Sequence, residues 1–273
     1  MKLFSLVAIA MAAAAAIIVT QHASAQWANV PNPSLKRTAT GEVDLAGRAP
    51  MKRGKPDLSG IWLPDREQVP ARMVTVEGNI PFPHFFFNFM ADVKEGDGQM
   101  RPETAAALQR KMALGGAGEP AAHCLPTGMP VLATGILPFK IVQAESEILI
   151  LYEENTVFRQ IFLDGRKPVE DAEPRWLGYS SGKWEGNELV VETIGFNDRG
   201  FLDAIGHSHS DKLRLTERIR RKDAGHLETQ VTVDDPTAYT KPIVYTIQST
   251  LRPDEDLLEY FCADNEKDVQ HFQ

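Results

Sequence analysis

Only two cysteines occur in the 273 residues, Cys124 and Cys262. That is too few for a clustered-thiolate zinc site. Positive charge is also in deficit: 29 Lys and Arg face 37 Asp and Glu, a formal net charge of −8. Nucleic acid and anionic membrane surfaces attract basic proteins, so neither is expected as a partner. Beyond the N-terminal segment, no apolar run approaches the length needed to span a bilayer. The chain also lacks the P-loop, G-x-G-x-x-G, H-E-x-x-H and C-x-x-C-H strings. Each of these marks a phosphate, dinucleotide, zinc or haem chemistry. No cofactor is expected, and the natural partner is a small-molecule substrate or ligand.

Residues 1–25 read as a signal peptide. Lys2 is the basic start, the run from Leu3 to Val19 is apolar apart from Ser5, and Ala23-Ser24-Ala25 is a small-residue cleavage pattern before Gln26. The expected location is periplasmic or secreted, with no membrane contact after cleavage; the apolar run is long for a signal, and an uncleaved anchor is the rival reading. In such a compartment an even cysteine pair most simply forms one disulfide, here Cys124–Cys262, tying an early segment to the last strand. The rival reading is a catalytic thiol. Residues 26–56 carry Pro31, Pro33, Pro50 and Pro56 and a basic patch at 51–55. They are expected to be an irregular extension draped over the domain.

From Asp57 to the end, the pattern is a single mainly β domain. Strands are expected near 58–63, 139–144, 147–153, 157–163, 177–183, 188–194, 213–221, 226–234, 243–251 and 257–262. They are separated by turn chemistry such as Glu185-Gly186-Asn187 and Asp223-Ala224-Gly225. About ten up-and-down antiparallel strands need closure into a barrel to remove their edges. An aromatic and helical insert at about 81–130 interrupts them. Phe82, Phe85, Phe86, Phe87 and Phe89 either plug the core or form a lid over an aromatic ligand. A helix is expected from Arg101 to Leu114, opened by Pro102 and Glu103 and stopped by Gly115-Gly116.

Gly60-Ile61-Trp62 resembles the G-x-W that opens the first strand of lipocalins and related calycin barrels, whose tryptophan closes the barrel's bottom. A disulfide near the chain's end is similar to theirs. The long region before the barrel and the aromatic insert depart from that family, so ordinary lipocalin transport does not follow. The chain also resembles a group of exported bacterial proteins of largely unassigned activity. That likeness rests on 54–62 (GKPDLSGIW), Cys124-Leu125-Pro126, Trp184-Glu185-Gly186, Gly195-Phe196-Asn197-Asp198 and His209-Ser210-Asp211. It implies no catalytic residues.

Several residues break the apolar alternation. Glu217 shares a strand face with Leu213, Leu215 and Ile219. Arg159 lies with Val157, Ile161 and Leu163, and Tyr152 with Ile148 and Ile150. A buried carboxylate is costly unless paired. These three either reach one cavity or form an ion pair that fixes barrel register. A second constellation follows Gly195. His207, His209 and Asp211, spaced two apart, would point the same way on an extended backbone. They suit acid/base work, a facial metal site as the weaker alternative, or a plain polar loop. Asp198 and Arg199 sit beside them. Trp176 and Tyr179 near the hairpin read as mouth-lining aromatics, or as core.

The resulting expectation is a cofactor-independent acid/base enzyme, a lyase of the decarboxylase type, acting on a small aromatic organic acid in a barrel cavity. Arg159 or Arg199 would hold the carboxylate, with Trp176 and Tyr179 lining the site. Glu217, Tyr152, His207 or His209 would move the proton, with Asp198 nearby. Phenolic acid decarboxylases are similar in outline, by fold and residue type. The alternative is a non-catalytic periplasmic carrier of apolar small molecules, and a structural or adhesion role is a third reading.

Overall fold

The alternation of inward apolar and outward polar side chains closes nine strands into a barrel. The computed structural model describes residues 31, 35–65, 75–76, 80–81, 99–113, 120–168 and 171–262. In chain order the strands are β1 (Met51–Lys52), β2 (Lys55–Pro56), β3 (Gly60–Pro64), β4 (Thr75–Val76), β5 (Ile80–Pro81), β6 (Phe139–Gln143), β7 (Glu147–Tyr152), β8 (Phe158–Phe162), β9 (Tyr179–Glu185), β10 (Glu188–Ile194), β11 (Arg214–Arg221), β12 (His226–Asp234) and β13 (Ile243–Leu251). The helices are α1 (Pro102–Ala113) and the single turn α2 (Val131–Thr134). The barrel runs β3-β6-β7-β8-β9-β10-β11-β12-β13 and back to β3. The signal segment and Phe82–Phe89 lie outside the described residues, as does the expected helix end at Leu114.

A ring of alternating strand directions cannot close on an odd number, so one neighbouring pair must be parallel. That pair is β8–β9, joined at Ile161↔Ser180 and Phe162↔Ser181. A parallel pair requires the chain to return to its starting end, and residues 163–178 make that return. The expectation of a purely antiparallel barrel is corrected at this one seam. The strand expected at 257–262 is absent, because β13 already pairs with β3 and no sheet edge is left to join. Cys262 instead follows an irregular tail and bonds to Cys124. The lead-in is not wholly irregular either: β1 and β2 form a small hairpin. Its earlier part drapes over the domain, with the Leu45 carbonyl accepting the Gly225 N–H.

The two ends of the barrel differ. Short turns at 144–146, 186–187 and 222–225 occupy one end, which Trp62 closes. Its indole is fully buried, donates to the Leu58 carbonyl at 3.0 Å, and lies 4.9 Å from the Arg221 guanidinium. Arg221 also donates to the carbonyls of Asp57, Asp223 and Ala224, which satisfies its buried donors. Burial lowers its pKa to about 10 against the pull of Asp57 and Asp223. The end of β3, the start of β6 and the connections 195–213 and 235–242 lie at the other end. Met129 just before α2 and Leu132 within it, with Phe196, Leu202 and Tyr239, pack into the core there.

Candidate functional site at the barrel mouth

Inside the barrel, strand alternation brings together the three residues picked out as misfits. β11 turns Leu215, Glu217, Ile219 and Arg221 inward and Arg214 and Arg220 to solvent. Glu217 and Arg159 are each 2 % exposed. Arg159 Nη1 donates to Glu217 Oε1 at 3.1 Å, and Nη2 donates to Oε2. Nη2 also donates to Thr193 Oγ1 at 2.7 Å, and Nε donates to Ser180 Oγ at 3.0 Å. Burial alone would lower the Arg159 pKa, but the facing Glu217 carboxylate outweighs it and keeps the guanidinium charged. Tyr152 is raised to about 12, chiefly by burial, with Arg159 opposing and Glu217 adding. Its hydroxyl donates to Met129 Sδ at 3.6 Å.

This cluster is saturated. The donors of Arg159, expected to hold a substrate carboxylate, serve Glu217, Ser180 and Thr193 in this structure. The cavity that touches Tyr152 and Glu217, also lined by Phe139, Ile150, Thr229 and Ser249, measures about 20 Å³. A void of that size holds about one water. A larger groove of about 680 Å³ lies outside the barrel at the Trp62 end, bordered by Met51, Lys140, Val142 and the 252–256 tail.

One string escaped the sequence reading: Gly178-Tyr179-Ser180-Ser181-Gly182 matches the G-x-S-x-G of hydrolase nucleophile elbows. Its context does not. Ser180 sits within a strand, buried, sharing a 3.0 Å hydrogen bond with Thr193 and accepting from Arg159, rather than at an exposed strand-to-helix turn.

The loop after β10 is shaped by carboxylates. Asp203 Oδ1 accepts the backbone N–H groups of Ile205, Gly206 and His207 at 3.0–3.2 Å, and Oδ2 meets His207 Nδ1 at 2.7 Å. Both side chains are buried. Asp203 was not among the expected site residues, although its D-x-x-x-H spacing to His207 was a readable signal. Asp235 Oδ2 accepts the Ser210 N–H at 2.6 Å, and Oδ1 accepts the Ser210 hydroxyl at 2.8 Å. Tyr239 donates to the Ser208 carbonyl at 2.9 Å. Both neighbours of His209 are thus pinned to the 235–239 turn.

His209 itself is buried, with 6 % exposure. Its Nδ1 lies 3.0 Å from the Ser210 carbonyl. A carbonyl only accepts, so Nδ1 carries the proton and Nε2 of the neutral ring is a bare lone pair. Nε2 takes no hydrogen bond from the described residues. A Cβ on Gly200 would stand 3.0 Å from it, so glycine there leaves the approach to Nε2 open. Burial lowers the His209 pKa; the Ser210 carbonyl and the charges of Asp235 and Asp198 pull the other way.

The trio His207, His209 and Asp211 does not converge. His207 is held by Asp203, His209 by Ser210, and Asp211 is exposed beside Lys212 at 3.2 Å. No group of three metal-ligating side chains forms among the described residues. Ser208 pairs with Phe201 in a β-bridge and both histidines are buried, but the chain turns at Asp211, which is exposed, so the three side chains do not share one site.

Arg199 is exposed and lies 4.6 Å from the Trp176 ring centroid, while Arg175 lies 4.5 Å from that of Tyr179. Tyr179 donates to the Glu173 carbonyl at 2.9 Å. Compared with known proteins, the chain matches no family model, and no curated protein is significantly similar to it.

Proposed function

We propose that the protein is an exported, cofactor-independent acid/base enzyme, a lyase of the decarboxylase type acting on a small aromatic organic acid, with proton transfer at the barrel mouth and not in its interior. The observation that carries this reading is His209: one ring nitrogen is committed to a backbone carbonyl, the other is bare, and the loop around it is clamped at both neighbours. A neutral imidazole of fixed tautomer presents one lone pair to a proton donor. Asp198 is close enough to bias His209 electrostatically and would steady the imidazolium that forms. Asp203 and His207 build the loop that presents it. The saturated Arg159–Glu217 pair holds the strands beneath.

Export to an oxidising compartment accords with the Cys124–Cys262 disulfide. No helix among the described residues is long and apolar enough to cross a membrane. A carrier that encloses its ligand among Tyr152, Glu217 and their neighbours has little room, since the void there holds about one water.

The test is turnover. The protein is incubated with a panel of aromatic and hydroxyaromatic acids, and carbon dioxide release and ultraviolet absorbance are followed. Turnover is expected with one class of acid and is expected to be lost in His209→Asn, whose amide preserves the bond to Ser210. Turnover that survives in a folded His209→Asn protein would reject the role of His209, and no turnover across the panel would reject the enzyme reading.

A further inference from the structure

An acidic chain that leaves a guanidinium exposed without a carboxylate partner has a cation to offer. Arg199 is such a group: no described carboxylate lies within ion-pair distance, and its side chain stacks on Trp176. The stacking is built from below. Asn197 Oδ1 accepts the Arg199 N–H at 3.1 Å, which sets the turn that carries the side chain out. The segment is lashed to the one bearing Trp176 by two hydrogen bonds of 2.9 Å: Arg175 N–H to the Gly195 carbonyl, and Asn197 N–H to the Arg175 carbonyl. Gly128, at a φ of +83°, passes close beneath, its Cβ position 3.3 Å from the Trp176 carbonyl and 3.6 Å from Gly200 Cα. Gly200, the residue after Arg199, borders His209 Nε2 at 3.0 Å from its own Cβ position. Arg199 carries the stacked cation, and the bare imidazole nitrogen lies against the next residue, Gly200.

We infer that Arg199, held on Trp176, is the docking point for the carboxylate of a small hydroxyaromatic acid whose second polar group donates to His209 Nε2. A guanidinium laid on an aromatic face keeps its N–H edge outward, and two parallel N–H groups match the two oxygens of a carboxylate. A bare Nε2 accepts and does not donate, so it selects a hydroxyl over a second carboxylate. Arg175, stacked on Tyr179 and also without a described carboxylate partner, adds positive charge to the approach. This inference rests on the proposed function for its choice of His209 as the second contact, while the carboxylate site stands on Arg199 and Trp176 alone.

The experiment is calorimetric titration of the protein with 4-hydroxybenzoate and with 4-hydroxybenzamide, equal in shape but uncharged. The acid is expected to bind at least about tenfold more tightly than the amide, the range for a charge-assisted hydrogen-bonded contact. Arg199→Met should erase that preference by weakening the acid alone, Arg199→Lys should restore only part of it, and His209→Asn should keep it. Thermal melts check that each variant is folded. Equal binding of acid and amide, no binding of the acid, or an Arg199→Met protein that still prefers the acid would each overturn the site. Acid binding through Arg199 without turnover keeps the site and rejects the enzyme reading. His209-dependent turnover with an unchanged KM in Arg199→Met does the reverse.

Discussion

Arg159 and Glu217 stand on strands three places apart in the barrel, yet their side chains meet across the interior. The two strands between them each contribute one hydroxyl to the same network, Ser180 from β9 and Thr193 from β10. One guanidinium thus binds a polar group from each of three successive strands. That stretch includes the parallel β8–β9 seam, where the ladder holds only two residue pairs. The ion pair acts as a cross-brace at the weakest joint of the sheet.

Breaking that brace should cost far more than replacing it. Glu217→Gln leaves a buried guanidinium uncompensated, and urea denaturation should show a loss of about 3–5 kcal/mol. The double variant Arg159→Met, Glu217→Leu removes both charges and should recover most of that loss. Ser180→Ala and Thr193→Val, each deleting one contact to the charge, should cost about 1.5–3 kcal/mol. A Glu217→Gln protein as stable as the parent would exclude the brace.

His209 makes stability depend on pH with a definite sign. Its folded pKa lies below the ordinary imidazole value, because burial disfavours the cation. The unfolded chain, with an imidazole pKa of about 6.5, then binds more protons than the native state just below that pH. The contribution is fully present above about pH 6.5 and declines as the pH falls toward the folded value. Urea midpoints compared between about pH 5 and 7.5 should show a shallower acid-side slope in His209→Asn than in the parent. Identical slopes would mean that His209 titrates normally.

The Cys124–Cys262 bond spans a sequence separation of 138 and encloses every barrel strand except β3. In the chain-entropy account a loop of that length is worth about 5 kcal/mol as an upper figure. Reduction, or the Cys124→Ser, Cys262→Ser double variant, should lower the urea midpoint and keep the β-sheet circular dichroism. The tail has few other ties to the barrel, among them Leu258 N–H to Glu153 Oε2 at 3.1 Å and the Tyr260–Thr156 pair. Proteolysis near 252–262 should therefore quicken on reduction, and an unchanged cleavage rate would count against the tether.

Gly200→Ala probes the mouth without removing a functional group. The new methyl carbon would stand 3.0 Å from His209 Nε2. If proton transfer occurs there, the turnover shown by the parent should fall by about 100-fold, the scale of a 1 Å misplacement. The thermal midpoint should move little. Full activity in this variant would place the chemistry elsewhere.

Much of the barrel was legible because its strands follow a two-residue rhythm with clear turns between them. β10, β12 and β13 span the expected residues, and the inward aim of Glu217 follows from its apolar neighbours in β11. Arg159 was harder to place because both faces of β8 carry apolar groups; Phe158 points outward and is 60 % exposed. The 257–262 segment has strand-like residues but no edge to pair with, and pairing is not a property of a segment by itself. At the mouth, His209, Asp198, Arg199 and Trp176 were identifiable by residue type alone. Their grouping was not, since Asp203 and Asp235 bend the loop through contacts to residues 2 to 25 positions away.

Alternation and turn chemistry are local, so the chain alone pointed to a run of β-strands that needs closing into a barrel, and to a carboxylate on the inward face of one of them. The single parallel seam, the partners of Arg159 and the bare nitrogen of His209 arise only when distant segments meet. Whether a buried charge is a brace or a reactive group depends on which partners reach it. Those partners come from other strands and loops, and only the folded chain brings them within hydrogen-bonding distance.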